Sequence, residues 1–278
     1  MTGGTGFIGS HFINKAQEMG HKLICIRRPE SQPRIILENE PVWVEGDLED
    51  DWSHVLMECD ALVHLAAIGV SPQRASRSEL FRWNVQASYN LLISAQEAGI
   101  NDFLIVGSYA EYGPSGHKFD FIPIDAMLEP TTSYAASKAS LLQLLYALTC
   151  EENLKVIYAR IFSAFGEGQY SENLWPSMQK SALEGCDFHM TLGEQIRDFI
   201  PVEDVAKQLV NALLFSNVSY GHIDVRNIGT GNPKTLREFA EYWWEKWGAT
   251  GQLYFGAKPY RDNEIMRFAP EVKETSNI

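Results

Sequence analysis

Four cysteines in 278 residues, Cys25, Cys59, Cys150 and Cys186, stand far apart, with no C-x-x-C and no metal-ligand spacing. That argues against a disulfide-stapled scaffold and a structural zinc site, and reads as thiols kept in a reducing compartment. Positive charge is scarce as well: 23 Lys and Arg against 36 Asp and Glu leave a net charge of −13. Such a surface argues against non-specific binding to nucleic acid or to an anionic membrane, although a few local arginines still allow an anionic substrate. Long apolar runs are missing, and the most apolar helical stretch, Leu141 to Leu148, is far too short to cross a bilayer. The opening Met-Thr-Gly-Gly has no basic region followed by an apolar run, so no signal peptide is expected. Internal repeats and low-complexity tracts are absent too. A soluble, cytoplasmic globular protein is expected.

What is present alternates between two periods. Short β-branched runs at Lys22–Ile26, Val42–Glu45, Ala61–Leu65 and Phe103–Val106 are separated by helical patterns such as Ser10–Met19 and Leu80–Ala98. Helix Tyr134–Glu151 and strand Lys155–Ile161 follow, while Arg27–Arg34 and Pro114–Pro130 read as loops. This pattern predicts an α/β fold, a Rossmann-type doubly wound parallel sheet. Beyond residue 162 the texture changes, with helical patterns at Leu174–Leu183, Val202–Leu214 and Leu236–Trp247 among Gly and Pro turns. The expected division is a dinucleotide-binding domain over 1–162 and a smaller C-terminal substrate-binding lobe over 163–278, partly interleaved with the first.

Gly3-Gly4-Thr5-Gly6-Phe7-Ile8-Gly9 runs straight into a helical pattern. Glycines let the backbone approach a pyrophosphate, and the helix start adds N–H donors and positive dipole. The second strand ends in Arg27-Arg28 where an acidic residue would meet the ribose hydroxyls of NAD; arginine suits a 2′-phosphate, so NADP is favoured and NAD stays possible. Gly46-Asp47-Leu48 offers a carboxylate to an adenine amino group or, equally well, a simple turn.

Ser108 follows the strand Phe103–Val106, and Tyr134 and Lys138 share one face of the next long helix. An ammonium near a phenol stabilises phenolate, so Lys138 is expected to lower the Tyr134 pKa and fit it for proton transfer at a carbinol or ketone oxygen held by Ser108.

Together these residues resemble the extended short-chain dehydrogenase/reductase family, the NAD(P)-dependent nucleotide-sugar epimerases, dehydratases and reductases. The likeness covers nearly the whole chain through Thr2–Gly9, Gly46-Asp47-Leu48, His64-Leu65-Ala66-Ala67, Asn84, Ser108–Gly113, Tyr134-x-x-x-Lys138, Arg160–Gly166, Arg197–Ile200 and Arg261–Glu264. It implies that Gly3, Thr5, Gly6, Phe7, Ile8, Gly9, Arg27, Arg28, Asp47, Leu48, Leu65, Ala66, Ala67, Asn84, Tyr134 and Lys138 hold the cofactor. By the same likeness Ser108, Tyr134 and Lys138 are catalytic, Ser108 and Ser163 meet the substrate, Arg197 and Arg261 grip its diphosphate, and Glu264 lies near the nucleoside ribose. A homodimer paired through Leu80–Ala98 and Tyr134–Glu151 is implied as well.

Within the family, dehydratases carry an Asp-Glu pair where this chain has Tyr109 and Ala110, and reductases that also epimerise place a cysteine at Ala110. Neither reaction is expected. The arginine pair and the segments Ser108–Gly113 and Pro259–Glu264 favour an NADP(H)-dependent reductase of a 4-keto-6-deoxy nucleotide sugar; a nucleotide-sugar 4-epimerase is the alternative, and a catalytically silent nucleotide-binding protein is the alternative of another class. Three departures stand out. Ser163 replaces an Asn that family members use near the substrate phosphates, and Arg267–Ile278 is polar where relatives add a last helix. The strand before the glycine loop is reduced to Met1 and Thr2, so the start lies upstream, another segment fills the slot, or stability suffers.

Overall fold

The computed structural model describes residues 1–262 and 264–272. Its first part runs α1 (Phe7–Glu18), β1 (Ile24–Arg27), β2 (Val42–Glu45), α2 (Ser53–Leu56), β3 (Ala61–His64), α3 (Arg77–Phe81), α4 (Ser88–Glu97), β4 (Asp102–Ser108), α5 (Ser133–Glu152) and β5 (Lys155–Ile161). There follow β6 (Ser163–Phe165), α6 (Leu174–Leu183), β7 (Phe188–His189), β8 (Ile196–Arg197), β9 (Phe199–Pro201), α7 (Val202–Ala212) and β10 (His222–Ile228). The last elements are β11 (Lys234–Thr235), α8 (Leu236–Lys246), β12 (Leu253–Tyr254) and β13 (Arg267–Phe268).

Every ladder of the main sheet is parallel: β1 pairs with β2, and β3, β4, β5 and β10 follow one another. Thr2 joins the two halves by bridging Ile26 on one side and His64 on the other. Ile26 N donates to Met1 O at 2.9 Å, Thr2 N to Val63 O at 2.9 Å and Leu65 N to Thr2 O at 3.3 Å. The slot of the reduced strand is therefore filled by Met1 and Thr2 themselves, and the order reads β2, β1, Met1–Thr2, β3, β4, β5, β10. This is a Rossmann-type doubly wound sheet with its topological switch point between Thr2 and β3.

Alternation assigns the faces. Leu104, Val106, Ile157 and Ala159 pack with Phe12 and Ile13 of α1 and Val205 and Leu209 of α7. Phe103, Ile105, Val156 and Tyr158 point the other way, onto Leu91 and Leu92 of α4 and Leu141, Leu142 and Leu145 of α5. Apolar residues on both faces are what a parallel sheet covered by helices requires. Beyond β5 the short strands form small ribbons, β6 with β9, β7 with β12, and β8 between β11 and β13. They enclose an aromatic cluster in which Phe199 stacks on Phe239 at 3.9 Å between ring centroids and Trp175 meets Trp243 edge-on at 5.5 Å.

Two expectations need correction. Leu80–Ala98 is not one regular helix, because Arg82–Ala87 widens into a π-helical turn that swings Asn84 into the interior. The loop expected from Pro114 begins later, since Tyr109–Lys118 forms 3-10 turns kinked at Gly113, where φ is 52°. Among the described residues no helix is long and apolar enough to cross a membrane, and no group of three or more His, Cys, Asp or Glu is placed to hold a metal ion.

His64 locks the switch point from the strand side. Its Nδ1 pairs with Thr2 Oγ1 at 2.8 Å and its Nε2 with Ser88 Oγ at 2.9 Å. Burial, with the Lys138 charge nearby, pushes its pKa from 6.5 down to about 3. The folded chain thus holds fewer protons than the unfolded chain between these values, so this stability is present above the unfolded value and lost as pH falls through the window. Lowering the pH from 6.5 to about 4 is expected to remove roughly 3 kcal/mol through this group. Urea unfolding across that range should show the excess slope in the parent chain and its disappearance in His64→Gln; equal slopes would contradict the assignment.

Candidate active site

The glycine loop sits where the switch point opens. Gly3 has φ +75°, and a Cβ there would stand 2.6 Å from Ala66 N, so only glycine lets the loop lie against the strand end. A side chain on Gly9 would strike the Gly3 carbonyl. Helix α1 starts at Gly6 with no side-chain cap and no acidic residue in its first turn, leaving Phe7, Ile8 and the neighbouring N–H groups unmasked. Ser31 Oγ donates to Thr5 Oγ1 at 3.3 Å and Arg34 N to Ser10 Oγ at 3.0 Å, which ties the loop after β1 to the glycine loop. A cradle of bare backbone at a helix start, with Leu65, Ala66 and Ala67 leaving β3 opposite, fits a dinucleotide pyrophosphate.

The two arginines separate. Arg27 donates to Glu45 Oε1 at 3.0 Å and lies over Trp43 at 4.9 Å, so its charge is already matched. Arg28 is exposed, and among the described residues no side chain pairs with it. Asp47 makes a turn, Oδ1 accepting from Glu49 N at 2.8 Å, with half-buried Leu48 beside it. Asn84, expected against the cofactor, spends its amide internally. Its Oδ1 accepts from Ile68 N at 2.9 Å while Nδ2 donates to Ile68 O and to Ser137 Oγ, both at 3.1 Å. It clamps the segment after β3 onto α5, a task the π-helical turn makes possible.

Ser108 is the last residue of β4 rather than lying beyond it. Tyr134 and Lys138 occupy the first turns of α5, whose start is capped by Thr132 Oγ1 accepting from Ala135 N at 3.1 Å. Ser108 lies close enough to the Tyr134 phenol to favour its ionised form, so the strand end and the helix start do converge. The electrostatics differ from the expectation. Burial and the Glu111 carboxylate push the phenol above its ordinary value, and the nearby Ser108 hydroxyl only partly offsets them. Burial also lowers the Lys138 ammonium to about 8, against a raising effect from Glu111. At neutral pH the phenol is therefore held protonated. Lys138 does not supply the depression expected of it: both groups are withdrawn from water, and the fixed charge acting on the phenol is the Glu111 anion.

That anion was not legible as a functional group. Glu111 is fully buried and accepts from Ser108 N at 2.7 Å, Tyr158 Oη at 2.8 Å and Arg160 Nε at 3.0 Å. Arg160 also donates to Tyr112 Oη at 2.8 Å, and Tyr112 Oη donates to Asn227 Oδ1 at 2.7 Å. The signal is a charged residue three places beyond the apolar strand β4 with a lone arginine inside the apolar run Lys155–Ile161; a buried pair is what reconciles the two.

On the lobe side, Arg197 is largely buried and already engaged. It donates to Glu264 Oε1 at 2.9 Å, Ile265 O at 2.7 Å and Ile196 O at 2.8 Å. Glu264 is thus its ion-pair partner, a role the sequence did not disclose. Arg261 is exposed, its carbonyl accepting from Glu264 N at 3.1 Å, and Ser163 opens β6 opposite Phe199. Asn263 of the same motif and residues 273–278 of the polar tail lie outside the described residues. Tyr109 stacks on Phe162 at 5.5 Å and meets Phe268 edge-on at 4.8 Å.

The profile of the NAD dependent epimerase/dehydratase family matches residues 1–229. CDP-abequose synthase of Salmonella muenchen is 27% identical over 269 residues, spanning 96% of this chain and 86% of that protein. UDP-glucose 4-epimerase of Corynebacterium glutamicum is 28% identical over 263 residues, spanning 87% and 78% of the two chains. The solved structure of MoeE5 in complex with UDP-glucose and NAD superposes with a TM-score of 0.81 at 26% identity, covering 98% of this chain and 89% of the other. With the glycine cradle at the switch point and the Ser-Tyr-Lys convergence beside it, the chain belongs to the NAD dependent epimerase/dehydratase family.

Proposed function

We propose that this protein is an NADP(H)-dependent reductase of a nucleotide-diphosphate sugar, acting on the ketone of a 4-keto-6-deoxy hexose. The observation that carries the reading is the convergence of Ser108 at the end of β4 with Tyr134 and Lys138 in the first turns of α5, beside the glycine cradle; Tyr134, protonated at neutral pH, can give its proton to an oxygen held there. When bound, the nicotinamide supplies the hydride. Tyr134 gives its proton to the carbonyl oxygen as that oxygen becomes an alkoxide. Ser108 holds the same oxygen in place, and the buried Lys138 charge steadies the negative charge as it develops. The loop Gly3–Gly9 carries the pyrophosphate, with Leu65, Ala66 and Ala67 along the opposite wall.

Exposed Arg28, tied beside the glycine loop through Ser31 and Thr5, supports NADP over NAD. NAD remains the alternative cofactor and is the one bound in the MoeE5 structure. A 4-epimerase is the second reading, favoured by the epimerase among the relatives. It requires the phenol to act first as a base, against the direction in which burial and Glu111 push it. Arg197, and Arg261 if it closes inward, are assigned to the substrate diphosphate; Arg197 must then exchange Glu264 for the ligand. The dinucleotide is assigned to residues 1–162 and the sugar to 163–278, within a cytoplasmic homodimer. Leu144 and Tyr146 of α5, 38% and 44% exposed, suit the dimer contact. A monomeric mass by light scattering at micromolar concentration would contradict the dimer.

Four outcomes test the enzymatic reading. NADPH should be consumed with a CDP-, GDP-, UDP- or dTDP-linked 4-keto-6-deoxy sugar, faster than NADH. Tyr134→Phe should then lower kcat by about 10²–10⁴-fold while NADPH affinity, read by fluorescence, stays within about twofold; retained turnover rejects the mechanism. Arg28→Glu should weaken NADPH binding by at least about tenfold and leave NADH binding nearly unchanged; an equal effect on both would return the cofactor to NAD. The reduction rate should decline above a basic limb near pH 8, because Lys138 loses its charge at about that value. Cofactor binding without turnover across the whole panel would favour the silent reading.

A further inference from the structure

The most constrained charge in the molecule lies beneath the site rather than in it. Glu111 is fully buried, and its carboxylate accepts from three donors on two elements: Ser108 N, Tyr158 Oη and Arg160 Nε, at 2.7, 2.8 and 3.0 Å. Gly107 makes this possible, since a Cβ there would stand 2.6 Å from Glu111 Oε1 and strike the Tyr158 ring. The Tyr158 hydroxyl also approaches the Lys138 carbonyl at 3.1 Å, so one phenol links the carboxylate to the helix turn that carries Lys138. Every titratable group around Glu111 has a defined element. Arg160 and Tyr158 come from β5, Tyr134 and Lys138 from α5, and Tyr112 from its own turn, with the neutral Asn227 of β10 behind it.

This is more than the fold needs. A buried ion pair adds little net stability over apolar residues of the same volume. The Arg160 guanidinium pairs with the carboxylate through Nε at 3.0 Å and turns its Nη1 to Tyr112 Oη and the Ile124 carbonyl, at 2.8 and 2.9 Å, while Tyr134 and Lys138 both feel the carboxylate. We propose that Glu111 is a positioning residue for the Ser108–Tyr134–Lys138 site: it fixes the end of β4 through the Ser108 amide and the α5 turn of Lys138 through the Tyr158 hydroxyl, and it places a negative charge beneath Tyr134 and Lys138. The proposal rests on the reading of Tyr134 as proton donor only for its catalytic consequence; the electrostatic claim stands without turnover. Tyr134 and Lys138 both feel Glu111 in the same sense, so neutralising it makes both groups more acidic.

The test uses the full chain with isotope-labelled lysine Cε, the Lys138 resonance being assigned by its loss in Lys138→Met. Its titration midpoint, about 8 in the parent chain, should fall by about one unit in Glu111→Gln and stay near the parent value in Glu111→Asp, which keeps the charge. Where the parent chain turns over, the basic limb of the reduction rate should move to lower pH by the same amount in Glu111→Gln. If that variant fails to fold because Arg160 loses its partner, Glu111→Gln/Arg160→Met carries the same measurement, and its midpoint should again lie below the parent value. An unchanged midpoint in a folded Gln variant, or an equal fall in Glu111→Asp, overturns the proposal. A shifted midpoint in a chain inactive on every sugar would support the positioning role and reject the reductase reading.

Discussion

Backbone meeting backbone at the switch point is the constraint on which everything else depends. Gly3 lies so close to the end of β3 that a methyl group there would collide with Ala66 N, and Gly9 faces the Gly3 carbonyl with no space between. These contacts bring the start of α1 over the carboxyl edge of the sheet, and they work only if the strand edge itself is fixed. Thr2 and His64 fix it, one by its bridges to both neighbouring strands and the other by two hydrogen bonds to hydroxyls. The anion cradle and the central ladder are in this sense one piece of structure.

Across the cleft a second piece is organised by charge. Withdrawal from water raises the phenol of Tyr134 and lowers the amine of Lys138, driving the two pKa values apart. Ser108 and Glu111 then act in opposite senses on the phenol: the hydroxyl stabilises phenolate, the carboxylate opposes it. Proximity of a lysine to a tyrosine on one helix face is thus not enough to decide which of them carries the proton. The surrounding dielectric and the nearest buried anion decide it.

The sequence and the structure part company along physical lines. Periodicity located Lys155–Ile161 and Leu174–Leu183 to the residue, since these elements bury whole faces and their patterns are dictated by water. The glycine loop and the Tyr134/Lys138 pair were legible because close approach and helical spacing leave marks one residue wide. What stayed hidden depends on partners distant in the chain. Arg27 meets Glu45, Arg197 meets Glu264, and Glu111 meets Arg160, each a pairing of groups that composition counts as surface charge. The family resemblance implies Asn84 at the cofactor, but a local pattern does not reveal the π-helical turn that directs its amide to Ile68 and Ser137.

Helix α5 carries a consequence of its own. Its first turns present Tyr134 and Lys138, and the same rod continues through Leu141, Leu142, Leu145 and Leu148 into the interior. A close-packed interior transmits small displacements rather than absorbing them. Trimming one methylene deep among those leucines would therefore tilt the shaft and shift a hydroxyl several turns away. The working end and the anchor of this lever cannot drift independently, so substitutions in the two regions are coupled even where the side chains never touch.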